Sequence, residues 1–180
     1  MTSEHTVGAP VAPGVVVVTP EPYEGPAAAD LVAGLAADID VRYGDVGGAD
    51  GDDPEEAAVW TVRPEQVTPP AGTFLVARID GDPVGCGALR AALDGTPGLA
   101  EIKRMYTRPE ARRRGVSRAL LARLEDAARA VGYRRVQLET GTRQPEAIAL
   151  YETAGYHSIP PYGEFKDDPL SLCYAKDLHP

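Results

Sequence analysis

Cysteine is scarce in this chain, with two in 180 residues, Cys86 and Cys173. Neither belongs to a Cys-x-x-Cys pair or has a histidine close by. That argues against a zinc site and fits a reducing, cytoplasmic setting. The three histidines, His5, His157 and His179, have no partners at catalytic spacing, and no metal is expected. Long apolar runs are missing too. The start, Met-Thr-Ser-Glu-His, has no basic segment, and Val15–Val18 is far too short for a secretory leader. Nothing approaches the ~20 apolar residues of a membrane helix. A net positive charge is also lacking: the chain carries −9, which argues against a general nucleic-acid binder.

What is present is an ordinary globular composition, 43% hydrophobic and 25% charged, at a length that suits one domain. Residues 1–13 read as a loose tail and residues 14–180 as a single domain. The charge is unevenly spread. Residues 1–100 hold 16 acids and 4 bases, whereas residues 101–180 hold 11 acids and 14 bases. Seven bases crowd into 103–118: Lys103, Arg104, Arg108, Arg112, Arg113, Arg114 and Arg118. A basic cluster on an acidic protein points to a small polyanion, such as a phosphorylated cofactor. The acidic half would then form an opposite pole able to attract an amine cation.

Turn residues divide the chain into elements. Gly14–Thr19 reads as a strand, and Pro26 opens a helix whose stripe is Leu31, Val32, Leu35 and Ile39. Residues 44–56, rich in Gly and Asp, read as an exposed loop that fits the EF-hand spacing poorly. Thr73–Asp80, Pro83–Ala92 and Ala100–Thr107 read as an antiparallel meander, with Asp80-Gly81-Asp82 as a hairpin turn. Gly115 then opens a helix with Leu120, Leu121, Leu124, Ala128 and Val131 on one face, ended by Gly132. Arg135–Thr140 is a strand, Pro145–Ala154 a helix and Leu170–Ala175 a last strand. This order predicts a mixed α/β (α+β) sheet.

The stretch Glu101–Leu121 runs strand, basic loop, glycine, helix. A helix N-terminus presents unpaired N–H groups and the positive end of its dipole, so a phosphate can dock there. A solvated basic loop capping a surface helix explains the same residues. No Lys-Ser or Lys-Thr pair follows Gly115, which argues against a P-loop nucleotide site.

Here the sequence resembles the GNAT superfamily of acetyl-CoA-dependent N-acyltransferases. The family's Arg/Gln-x-x-Gly-x-Gly/Ala motif falls on Arg112-Arg113-Arg114-Gly115-Val116-Ser117, with Ser in the last place. Its Asn-x-x-Ala-x-x-x-Tyr-x-x-x-Gly-Phe/Tyr segment falls on Gln144 through Tyr156, with Gln144 where Asn is usual. The resemblance covers about residues 73–176. It implies a mixed sheet of antiparallel strands and a splayed parallel pair, flanked by helices, with acetyl-CoA in the cleft. The implied activity is direct acetyl transfer to a primary amine in a ternary complex, on a small, amino-acid-like molecule. A protein or peptide acceptor and a non-catalytic acyl-CoA sensor remain as alternatives. Homodimers are common in the family.

The resemblance also implies roles. Arg112 to Arg118 (Arg112, Arg113, Arg114, Gly115, Val116, Ser117 and Arg118) and Gln144 would meet the coenzyme. The Met105 N–H would face the thioester carbonyl, and the Tyr106 and Thr107 backbone would pair with the pantetheine arm as an added pseudo-strand. Glu101 is a candidate base, or a strand glutamate paired with Lys103 or Arg104. Glu139 is the rival carboxylate. Tyr151 is a candidate acid for the coenzyme A thiolate, or a core tyrosine. Arg104, Arg143 and Tyr162 are candidate acceptor contacts. An arginine there would hold a carboxylate.

Overall fold

The computed structural model describes residues 14–44, 62–163 and 165–178. The expected tail, nearly all of the Gly/Asp loop, Trp60, His5 and His179 lie outside the described residues. The chain forms β1 (Val16–Pro20), α1 (Pro26–Tyr43), β2 (Gly72–Ile79), β3 (Asp82–Ala91), β4 (Leu99–Thr107), α2 (Val116–Val131), β5 (Arg135–Gly141), α3 (Pro145–Thr153), β6 (His157–Ile159) and β7 (Ser171–Asp177). Among the described residues, no helix is long and apolar enough to cross a membrane.

The strands make one seven-stranded sheet in the order β1-β2-β3-β4-β5-β7-β6. Every neighbouring pair is antiparallel except β4 and β5. The β2–β3 turn is two residues, Asp80 and Gly81, both at positive φ (53° and 93°). That is the conformation an Asp-Gly pair favours in a tight hairpin. β6 was not expected. It has only three residues and leads straight into Pro160 and Pro161, so no strand pattern could build up.

Alternating side chains of β2 feed two cores. Leu75, Ala77 and Ile79 pack with Leu120, Leu121, Leu124 and Ala128 of α2. Phe74 and Val76 pack with Ala28 and Leu31 of α1. Two stripe residues depart from expectation. Val131 is 57% exposed, because α2 ends there at Gly132 (φ 98°). Leu35 and Ile39 are only half-buried, because they face the cleft described next rather than the core.

Two irregularities shape that cleft. The β4–β5 ladder runs only from Leu99↔Arg135 to Ile102↔Leu138, after which the strands part. On its other side β4 bulges against β3. The register shifts between Cys86↔Tyr106 and Ala88↔Lys103, and Arg104 takes φ 58°. A Cβ on Gly87, opposite the bulge, would lie 2.8 Å from Met105 Sδ and 2.9 Å from Leu124 Cδ1. Glycine there lets the bulge and α2 approach closely.

Candidate active site

The parting of β4 and β5 opens two adjoining cavities. The larger, about 780 Å³, runs past Met105–Thr107 to the N-terminus of α2 and along α3. The smaller, about 440 Å³, lies over Ile102–Met105 and Glu139–Gly141 and is also lined by Phe165, Asp168 and Leu170. Leu35, Ile39, Met105, Gln144 and Tyr151 line both, so they mark the seam.

At the far end of the larger cavity, Gly115 caps α2 at φ 84°. The helix has no side-chain cap and no acid in its first turn. Its leading N–H groups therefore keep their hydrogen-bonding capacity, and the dipole is not offset. A Cβ on Gly115 would meet nothing within 4 Å, so the space in front is open. The neighbouring arginines fall into two sets. Arg108 pairs with Asp30 and with the Pro83 carbonyl; Arg112 pairs with Asp38 (2.8 Å) and with the Thr107 carbonyl (3.3 Å). Burial alone would raise the Asp38 pKa, but Arg112 and Arg42 hold it below the ordinary value. Arg113, Arg114 and Arg118 are exposed and make no ion pair among the described residues. This end suits a pyrophosphate. The Ser at 117 is accommodated because its hydroxyl lies 2.9 Å from Thr107 Oγ1, which leaves its backbone free of competition. Val116 is buried in the core.

The two carboxylates have different settings. Glu101 is 4% exposed and lines neither cavity. Arg90 donates from Nε to Glu101 Oε2 (2.8 Å), with Nη2 ion-paired to the same oxygen at 2.7 Å, and the Tyr162 hydroxyl donates to Oε1 (3.2 Å). Lys103 Nζ is 3.6 Å from Oε1. Arg90 also donates to Gln66 Oε1 (3.1 Å). The pairing with Lys103 matches one expected partner of Glu101, but Arg90 holds it more closely. Glu139, by contrast, lines the smaller cavity. Ser171 Oγ donates to it at 2.8 Å, and Lys103 Nζ stands 3.9 Å away. Burial is the largest influence on Glu139 and raises its pKa above the ordinary value, against the pull of Ser171 and Lys103.

Tyr151 is nearly fully buried at the seam, and burial pushes its phenol well above its ordinary value. Its ring packs against Tyr156 and Tyr174, at 5.8 and 6.4 Å between centroids. The structure thus gives it both a core face and a place in the cleft. Arg143 lines neither cavity. Its Nη1 donates to the Arg42 carbonyl (2.9 Å), its backbone N–H donates to the Tyr43 hydroxyl (3.1 Å), and its guanidinium lies over the Tyr43 ring. Tyr162 is likewise committed to Glu101. Arg104 does reach the smaller cavity, and its Nε is buried without a hydrogen-bond partner. Both cysteines are buried, and burial pushes Cys86 up to about 12.

Sequence reasoning missed Arg90, although a signal existed. The turn that joins Ala92 to Leu99 sets the β3–β4 register, and that register puts Arg90 opposite Glu101. It had no means of finding Arg42, which joins Asp38 (3.0 Å) and Glu146 and so ties the end of α1 to α3.

Comparison with known proteins gives a consistent result. The sequence profile of the "Acetyltransferase (GNAT) family" matches residues 43–156. An "IAA acetyltransferase" of Azospirillum brasilense is 48% identical over 105 residues, covering 58% of this chain and 67% of that protein. A crystal structure described as an acyl-CoA N-acyltransferase from Klebsiella pneumoniae superposes with a TM-score of 0.71 at 28% identity, covering 91% of this chain and 98% of that one. A GNAT family acetyltransferase from Elizabethkingia anophelis, solved with acetyl-CoA bound, shares the fold with a TM-score of 0.63 at 17% identity, over 91% and 98% of the two chains.

Proposed function

The chain belongs to the GNAT acetyltransferase family, and from that premise we propose that it transfers an acetyl group from acetyl-CoA to the primary amine of a small molecule, directly in a ternary complex. One observation carries this reading: two cavities meet at Met105 and Tyr151, one ending at a phosphate-ready helix terminus and the other walled by Glu139. The first fits the coenzyme and the second fits an acceptor.

Acetyl-CoA supplies a thioester whose C–S bond is exchanged for an amide C–N bond. Arg113, Arg114 and Arg118 with the N–H groups of 115–118 would hold the phosphates, while Arg112 braces the loop against α1. The parted edge of β4 at Met105, Tyr106 and Thr107 would pair with the pantetheine arm, beside Gln144. The Met105 N–H is the proposed donor to the carbonyl oxygen.

We assign the base to Glu139 rather than Glu101. Glu139 faces the acceptor cavity and its raised pKa suits proton uptake from an ammonium. Glu101 lines neither cavity, has both oxygens engaged by Arg90, Tyr162 and Lys103, and acts as a positioning residue for Lys103 and the Tyr162 loop. Tyr151 donates a hydrogen bond to the departing sulfur. Full proton transfer from so weak an acid to a thiolate, whose thiol has a pKa of about 8.5, would run uphill. The peptide-acceptor reading loses support, because Asp30 and Asp38 of the acidic half are already paired with arginines.

The test is thiol release from acetyl-CoA against a panel of amino acids, polyamines, aminoglycosides and peptides, beside calorimetric titration of acetyl-CoA. Tight binding with release on one class of small amine is expected. Absence of acetyl-CoA binding would overturn the proposal, and binding without release on any amine would point to a sensor.

A further inference from the structure

The smaller cavity has an uneven distribution of charge. The acidic and basic side chains of its lining are Lys103, Arg104, Glu139 and Asp168. Lys103 stands between Glu101 and Glu139 at 3.6 and 3.9 Å. Asp168 is exposed, and its Oδ1 accepts the Leu170 N–H at 2.8 Å. Glu139 accepts from Ser171. Of the two cations, Lys103 has carboxylates beside it, whereas Arg104 has no carboxylate partner among the described residues, and its Nε is buried without an acceptor.

The bulge explains how this arises. At φ 58°, Arg104 breaks the alternation of β4, and its carbonyl accepts from Cys86 Sγ at 3.3 Å. The guanidinium is therefore held at the cavity by backbone geometry, not by an ion pair. Leaving a buried guanidinium N–H unsatisfied costs free energy, and the ordinary remedy is an anionic acceptor. A planar carboxylate matches the guanidinium fork with two parallel hydrogen bonds, and amino acids carry one beside their amine. The lining also holds the apolar side chains of Leu35, Ile39, Ile102, Phe165 and Leu170.

We propose that the acceptor is an amino acid with an apolar side chain, whose carboxylate is bound by Arg104 while its amine faces Glu139. This deepens the acetyltransferase reading above and rests on it. It also separates three arginine and tyrosine candidates: Arg143 and Tyr162 support the walls, and Arg104 meets the ligand.

The experiment needs no mutation at first. Thiol release is measured at saturating acetyl-CoA with L-phenylalanine, L-phenylalaninamide and phenethylamine, and with the matching leucine series. A site built around a charged hydrogen-bonding group rejects analogues lacking its partner, so kcat/KM should fall at least ~100-fold from acid to amide or amine. In Arg104→Gln the ratio of acid to amine should collapse toward one, with the loss in KM, and Arg104→Lys should restore part of it. Equal rates for acid and amine in the wild type would overturn the proposal, as would turnover of other amines with none on any amino acid. Either result leaves the acetyltransferase reading intact. Failure of acetyl-CoA to bind, read by calorimetry on the same preparation, would instead remove the reading beneath it.

Discussion

Tyr151 and Glu139 make opposite demands on the same small volume. Tyr151 is proposed to keep its proton, and burial raises its pKa accordingly. Tyr151→Phe retains the ring packing on Tyr156 and Tyr174 and removes only a hydrogen-bond donor to the departing sulfur, so it should lower kcat about 100-fold while leaving acetyl-CoA affinity within a factor of about two. Unchanged kcat in the variant would remove the hydroxyl from the reaction. Glu139 must lose its proton to act. Its raised pKa moves the acid limb of the kcat/KM profile to higher pH than an ordinary glutamate would give, and Glu139→Gln should abolish that limb along with most activity. The same shift has a stability consequence. A folded pKa above the unfolded one means the native state binds the proton more tightly. The stabilisation is complete below the unfolded value and is lost as pH rises through the raised folded one. At neutral pH Glu139→Gln should therefore raise Tm, since Gln still accepts from Ser171, and near pH 4 the gain should vanish. A Tm increase of equal size at both pH values would contradict the linkage. At this scale the sequence was partly legible. The residue types at 139, 151 and 104 were visible, but the choice between Glu101 and Glu139 depended on which of the two borders the cavity beyond the point where the strands part.

At the scale of elements, the turns made most of the fold legible. Asp80-Gly81, Gly132, Pro145 and Gly155 punctuate the chain where the structure turns. What stayed hidden was contact between elements far apart in sequence. The end of α1 closes onto the end of β5: a Cβ at Gly141 would lie 1.8 Å from the Tyr43 hydroxyl oxygen and 2.6 Å from its Cζ. No helical or strand periodicity encodes that contact. Gly141→Ala should therefore displace Tyr43, costing about 1–3 kcal/mol by overpacking. It should also raise the acceptor KM, because Tyr43 and Gly141 both line the smaller cavity. The cause can be isolated with a double-mutant cycle. Tyr43→Ala removes the obstruction, so Tyr43→Ala/Gly141→Ala should be no less stable than Tyr43→Ala alone. Additive losses in urea unfolding would show that Gly141 acts for another reason.

At the scale of the whole molecule, the −9 charge does not divide into two poles in space as it divides along the sequence. Asp30 and Asp38 come from the acidic half, yet they lie against Arg108 and Arg112 of the basic loop. Those two arginines fasten α1 to the loop. The net positive field at the α2 terminus is thus left to Arg113, Arg114 and Arg118, exposed to solvent on an otherwise acidic surface. Exposed charges are screened by salt, with a Debye length near 10 Å at 0.1 M. Acetyl-CoA affinity should weaken about tenfold between 0.05 and 0.5 M NaCl if these three arginines attract its phosphates. Replacing all three by Gln should flatten that dependence and leave Tm nearly unchanged. Replacing Arg108 and Arg112 should do the reverse, lowering Tm through the loss of the α1 contacts while retaining most of the salt slope. If the Arg108 and Arg112 variant proves as flat as the triple variant, the division between fastening and attracting arginines is wrong, and the paired acids do not neutralise their partners at the distance where the coenzyme is drawn in.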